Sequence, residues 1–146
     1  MTNKDYACTL ITPAPASEAF GKIARVSEWW GADFRGRAEV LGDRFTVRFG
    51  ETFVDFKIVE AEPDERIVWE VTDCHLHWLK DKKEWTGTTV AWDLTSDEGK
   101  TIVTMTHHGL VPGTECFESC KPGWDGYLKN SLTTFFATGV GLPDGA

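Results

Sequence analysis

Large apolar side chains at every second position constrain this chain more than any other feature. Phe45, Val47 and Phe49 alternate with Thr46 and Arg48, and Val54, Phe56 and Ile58 alternate with Asp55 and Lys57. Ile67, Trp69 and Val71 follow, then Val90, Trp92 and Leu94, then Val103, Met105 and His107. A period of two sets each group on one face of a strand. Turn residues separate the runs at Gly50, at Glu62-Pro63-Asp64-Glu65 and at Ser96-Asp97-Glu98-Gly99. The pattern predicts successive antiparallel strands with one apolar and one wet face.

The flanking segments supply what such a face needs. Tyr6, Cys8 and Leu10 alternate into a first strand that ends at Pro13. Across residues 15–30, Ala19, Phe20, Ile23, Val26 and Trp30 follow helical spacing, and Gly21 and Ser27 divide them into two short helices. Gly31 and Gly36 bracket a loop. Residues 73–85 read as a strand extension or a mobile loop, with Lys80, Lys82 and Lys83 marking an exposed tip. Between about residues 114 and 138, Phe117, Cys120, Trp124, Leu128, Leu132 and Phe135 recur at helical spacing, and Gly139 is a good stop. Pro122 predicts a kink there, or a short first turn before a longer helix. One long helix covering one apolar sheet face makes an α+β sandwich of two layers, expected as a single domain over residues 1–146.

Charge and composition remove several classes of function. A formal net charge of −8 argues against binding a phosphate backbone or docking on anionic lipid. No apolar run approaches the roughly 20 residues of a spanning helix, so membrane insertion is not expected. The opening residues lack the basic start and apolar stretch of a signal peptide. The expectation is therefore a cytoplasmic protein with its four cysteines reduced. Cys116 and Cys120 resist a bridge on this reading, because helical neighbours four apart hold their Cβ atoms about 5–6 Å apart.

The order of elements, together with specific residues, resembles the helix-grip superfamily of START domains, pathogenesis-related plant proteins and polyketide cyclases. The residues that carry the likeness are Trp29-Trp30, the hairpin from Pro63 to Trp69, and Glu84-Trp85. Thr106-His107, Gly109-Leu110, Cys116, Cys120, Gly123-Trp124, Ser131-Leu132 and the tail from Thr138 to Pro143 extend it. Within the superfamily, the branch named after the activator of heat shock protein 90 ATPase is the nearest match. The resemblance implies a START-like curved antiparallel sheet wrapped around a long C-terminal helix, with an apolar cavity between them. It does not imply one activity, because this fold hosts carriers, cyclases, receptors and co-chaperones.

Candidate site residues follow from the inward faces. Phe45, Phe56, Trp69, Trp92, Met105, His107, Trp124 and Leu128 would line a cavity, with His107 as its polar handle; the rival reading packs the same rings into a plain core. Trp29 and Trp30 would cover a cavity mouth or pin the short helices to the sheet. His107 is either a ligand-orienting or acid–base group, or a buried histidine satisfied by hydrogen bonds. A zinc site from His107 or His108 with Cys116, Cys120 and His75 or His77 lacks the usual paired short spacing, so no metal and no cofactor is expected. Asp55 and Asp93 fall on outer faces, and Glu84 has no facing carboxylate partner. The leading expectation is a non-enzymatic module binding a small apolar or amphipathic molecule. The alternatives are a co-chaperone-like partner of heat shock protein 90, and a cyclase- or aromatase-like enzyme using His107.

Overall fold

Each alternating run becomes a strand in the structure, a computed structural model that describes residues 5–145. The strands are β1 (Tyr6–Thr12), β2 (Asp33–Gly36), β3 (Arg44–Phe49), β4 (Thr52–Glu62), β5 (Arg66–His75), β6 (Thr89–Asp97) and β7 (Lys100–His108). They form one antiparallel sheet in the order β1-β7-β6-β5-β4-β3-β2. Hairpins join β2 through β7 in sequence, and β1 closes against β7 with Cys8 opposite Met105. Register shifts between Asp55 and Phe56 and between Ile58 and Glu60 bend β4. The loop expected between Gly31 and Gly36 contains β2, an edge strand too short and too mixed in polarity to show alternation.

Two short helices, α1 (Ala16–Ala24) and α2 (Val26–Trp29), follow β1 as the spacing predicts. The C-terminal element crosses the apolar face of the sheet, and it is not a uniform α-helix. It runs as α3 (Phe117–Gly126), a π-helical segment (Tyr127–Leu132) and α4 (Thr133–Thr138). Pro122 does not end α3. The carbonyl it leaves without an amide partner belongs to Glu118, which is exposed and open to water.

The π segment answers a feature of the sequence. Cys116, Cys120, Trp124, Leu128, Leu132 and Phe136 are all buried, each four residues from the last. Four residues of α-helix turn about 400°, so such a stripe drifts about 40° per step. A π turn takes an extra residue, which rotates the stripe back. Leu132 and Phe136 thereby return to the sheet, and Gly139 (φ 80°) ends the element as expected.

Three contacts lock the helical layer. The Lys22 ammonium donates to the last-turn carbonyls of Phe135 and Phe136 at 3.1 and 3.2 Å. Gly141 lies so close to the Glu28 carbonyl that a Cβ there would meet it at 2.2 Å. The buried Ser131 hydroxyl donates to the Trp29 carbonyl at 2.5 Å and accepts from the Leu142 amide at 2.7 Å. It therefore joins helix, α2 and tail at one atom. Ser131→Ala should cost about 2–3 kcal/mol, since two backbone groups lose their partner. Urea unfolding checks this, with the slope expected to stay unchanged.

Candidate functional site

A second set of aromatic residues meets at the start of α3. The connection 76–88 between β5 and β6 is a hydrogen-bonded loop whose tip, with Lys80 and Lys83, is exposed as expected while apolar residues of the loop turn inward. Leu76, Leu79 and Trp85 are buried, and the Lys82 ammonium donates to the carbonyls of His77 and Leu79 at 2.8 and 2.7 Å. Four bonds tie this loop to the helix. The Glu115 carboxylate accepts from the Lys80 and Asp81 amides at 2.6 and 2.9 Å, and these bonds hold its pKa below the usual range. Glu84 accepts from the Cys116 amide, and the Trp78 indole donates to the Ser119 hydroxyl.

Between loop, helix and sheet lies a cavity of about 390 Å³. Trp30 closes it from the end of α2, and Phe49, Thr52 and Val54 from β3 and β4. Leu76, Trp78 and Trp85 come from the loop, and Ser119, Cys120, Gly123, Trp124 and Tyr127 from the helix. Trp85 and Trp124 stand parallel, 3° apart with centroids at 5.9 Å. Trp30 tilts against Trp124 at 4.8 Å. Burial raises the Tyr127 pKa, with Asp144 adding to the effect, so the phenol stays neutral.

His107 fixes that wall from behind. Its ring is fully buried. The Thr88 hydroxyl donates its single hydrogen to the Trp85 carbonyl at 2.6 Å, so its oxygen accepts from His107 Nε2–H at 2.9 Å. His107 Nδ1 is then bare and accepts from the Trp124 indole at 3.1 Å. Both ring nitrogens are satisfied only in the neutral Nε2–H form. Burial lowers its pKa to about 3. The ring faces Trp85 edge-on at 4.6 Å, and it does not line the cavity. It orients two tryptophans, and burial favours its neutral form.

Of the eight cavity residues expected from sequence, the structure places only Trp124 on the wall of this cavity. Trp69, Trp92, Met105 and Leu128 fill the core, almost fully buried. Phe45 and Phe56 are also buried there, and they border a second depression beside Arg35, Arg44 and Asp55. This placement has a simple cause, since the middle of the helix lies tight on the sheet and leaves this space at its first turns. Trp30 lines the cavity, whereas Trp29 is buried and donates to the Ile23 carbonyl. Trp78, Trp85, Gly123 and Tyr127 also line it, outside the residues expected. The signal for Trp78 and Trp85 was a loop carrying four large apolar residues, Leu76, Trp78, Leu79 and Trp85, without strand alternation.

The structure also corrects the reading of the cysteine pair. Cys116 and Cys120 meet sulfur to sulfur as a disulfide, their Cα atoms 5.4 Å apart. Cys116 is the cap residue before α3, and its carbonyl accepts from both Ser119 and Cys120 amides at 2.9 and 2.7 Å. That tightened turn draws the pair closer than regular helix does. Cys8 and Cys74 are free and buried. The histidines weighed for zinc are not brought to the cysteines. His77 pairs with Glu51, His108 with Asp5, and His75 stacks on Phe53. Asp93 pairs with Arg66 on the outer face.

This sheet, bent around a C-terminal helix and carrying an aromatic cavity, defines a helix-grip protein of the START-like superfamily. The chain belongs to the activator of Hsp90 ATPase homolog 1-like protein family, whose profile matches residues 16–137. Among solved structures it is similar to the Aha1 dimer from Colwellia psychrerythraea, at 23% identity and a TM-score of 0.76, covering 95% of this chain and 98% of that one. It is also similar to DynU16, a protein of the dynemicin biosynthetic locus, at 21% identity and a TM-score of 0.69, covering 96% of this chain and 49% of that one. CalU16 from Micromonospora echinospora matches at 16% identity and a TM-score of 0.67, with 93% and 77% covered. The curated proteins give no match. Among the described residues no helix is long and apolar enough to cross a membrane.

The neutral His107 sets a pH dependence. An unfolded histidine takes up a proton near 6.5, whereas the folded ring resists protonation down to about 3. Stability from this group is complete above the upper value and is lost as pH falls through the window. Wild-type unfolding free energy should fall by about 1.4 kcal/mol per pH unit more than that of His107→Gln between those limits. Urea titrations of both proteins at several pH values measure the difference.

Proposed function

We propose that this protein binds one flat, uncharged, largely aromatic small molecule in the cavity between α3, loop 76–88 and the sheet. The observation that carries the reading is the composition of the wall. Six rings line it, from Trp30, Phe49, Trp78, Trp85, Trp124 and Tyr127, and no charged side chain does. Such a wall suits planar apolar surface and rejects ions, whose desolvation nothing there offsets. His107, turned into the framework with both nitrogens engaged, supports binding rather than acid–base chemistry by that residue.

Burying on the order of 300 Å² of apolar probe surface contributes about 7 kcal/mol before the costs of association. Micromolar affinity is the natural scale. The neutral fluorophore N-phenyl-1-naphthylamine should bind saturably with one site per chain. Gly123 offers a clean block, since a Cβ added there meets nothing within 4 Å and its φ is ordinary for helix. Gly123→Leu should fold with slightly higher stability and bind the fluorophore at least about tenfold more weakly. Equal binding by Gly123→Leu, or no saturable binding by the wild type, would sink the reading.

A further inference from the structure

We infer that the Tyr127 side chain sets the length of the molecule the cavity accepts, by closing the cavity off from a second hollow beside the C-terminal tail. The inference rests on the proposed binding function and adds to it a limit on ligand shape.

The two hollows meet at one side chain. The second holds about 300 Å³ and lies over Pro122, Gly126, Asn130 and Leu142. Gly123 and Tyr127 are the residues that line both. Gly123 has no side chain, so the Tyr127 ring is what stands at the common border. Residues four apart share a helix face, which sets the ring beside the gap that Gly123 leaves. On the cavity side it packs on Phe49, with centroids 6.1 Å apart.

The rest of the helix leaves no other way to lengthen the cavity in this direction. Tyr127 opens the π-helical segment, and past it Leu128 and Leu132 lie fully buried on the sheet. Toward the end of the helix, a ligand that outgrows the cavity can extend only past Tyr127. Beyond the ring there is room, because a Cβ added at Gly126 would meet nothing within 4 Å. With the ring in place, the site takes compact ring systems and turns away long rods of the same uncharged chemistry.

The test titrates wild type and Tyr127→Ala with N-phenyl-1-naphthylamine and with neutral fluorescent rods of rising length: diphenylbutadiene, diphenylhexatriene and diphenyloctatetraene. Wild-type affinity should fall with rod length. Tyr127→Ala should bind the longest rod at least about tenfold more tightly than wild type does. Tyr127→Phe keeps the ring and should keep the wild-type limit. Gly126 lines the second hollow but not the first, and its φ of −63° is helical. Gly126→Leu added to Tyr127→Ala should therefore cancel the gain for the longest rod and leave N-phenyl-1-naphthylamine binding unchanged. Urea unfolding confirms that each variant is folded; if Tyr127→Ala is not, Tyr127→Leu should move the limit the same way by a smaller factor. Equal affinity of wild type and Tyr127→Ala for every rod, or a gain that Gly126→Leu leaves intact, overturns the inference. Saturable N-phenyl-1-naphthylamine binding in that case leaves the proposed function standing. No saturable binding of that fluorophore by the wild type removes both.

Discussion

The hydrogen bond from Trp124 to His107 is the constraint on which the rest of the site depends. A buried imidazole is tolerable only when both nitrogens are matched, and here the partners come from different parts of the chain. Trp124 arrives from the helix, Thr88 from the end of the loop, and His107 itself from β7. Satisfying one ring therefore sets the height of the helix over the sheet and the path of the loop. The two indoles that flank the ring, Trp85 edge-on and Trp124 bonded through nitrogen, are left parallel. The cavity wall follows from a rule about buried polar atoms.

A cavity beside so dense a core also has a physical account. Six of the seven tryptophans are linked ring to ring, through Trp29–Trp92–Trp69–Trp30–Trp124–Trp85. Large planar rings meet at fixed tilts and cannot flow into leftover space as methionine or leucine side chains do. Where the helix rises from the sheet, the position facing the gap is Gly123, which contributes no side chain to fill it. The same rigidity leaves the indole nitrogens of Trp69 and Trp92 buried without partners, and nothing in the structure offsets them.

The strand layer was legible because alternation is a local signal that a half-buried sheet enforces at every residue. Phe45, Trp69, Trp92, Met105 and His107 all point inward as their spacing requires. The site was less legible because its walls are not periodic. Trp78 and Trp85 sit on a loop whose order comes from Glu115 and Glu84, contacts that span more than thirty positions of sequence. No rule of spacing links a glutamate at the start of a helix to two amides in a distant loop. The cysteine pair was misread for a related reason. Regular helix geometry was applied to a turn that the cap residue tightens.

The stripe of residues four apart shows how one helix serves two purposes. From Leu128 to Phe136 it lies on the sheet, and the π turn keeps it there. From Cys116 to Trp124 it has run past the dense core and is covered by loop 76–88 and the cavity instead. Burial is similar at both ends, but its meaning differs. At the far end a lost methyl group is a packing defect between fixed layers. At the near end the neighbours are a loop held by four hydrogen bonds and the cavity. Changes at 116–124 should therefore act on what enters the cavity, and changes at 128–136 on whether the protein folds. The helix grips the sheet with one half and presents a wall with the other.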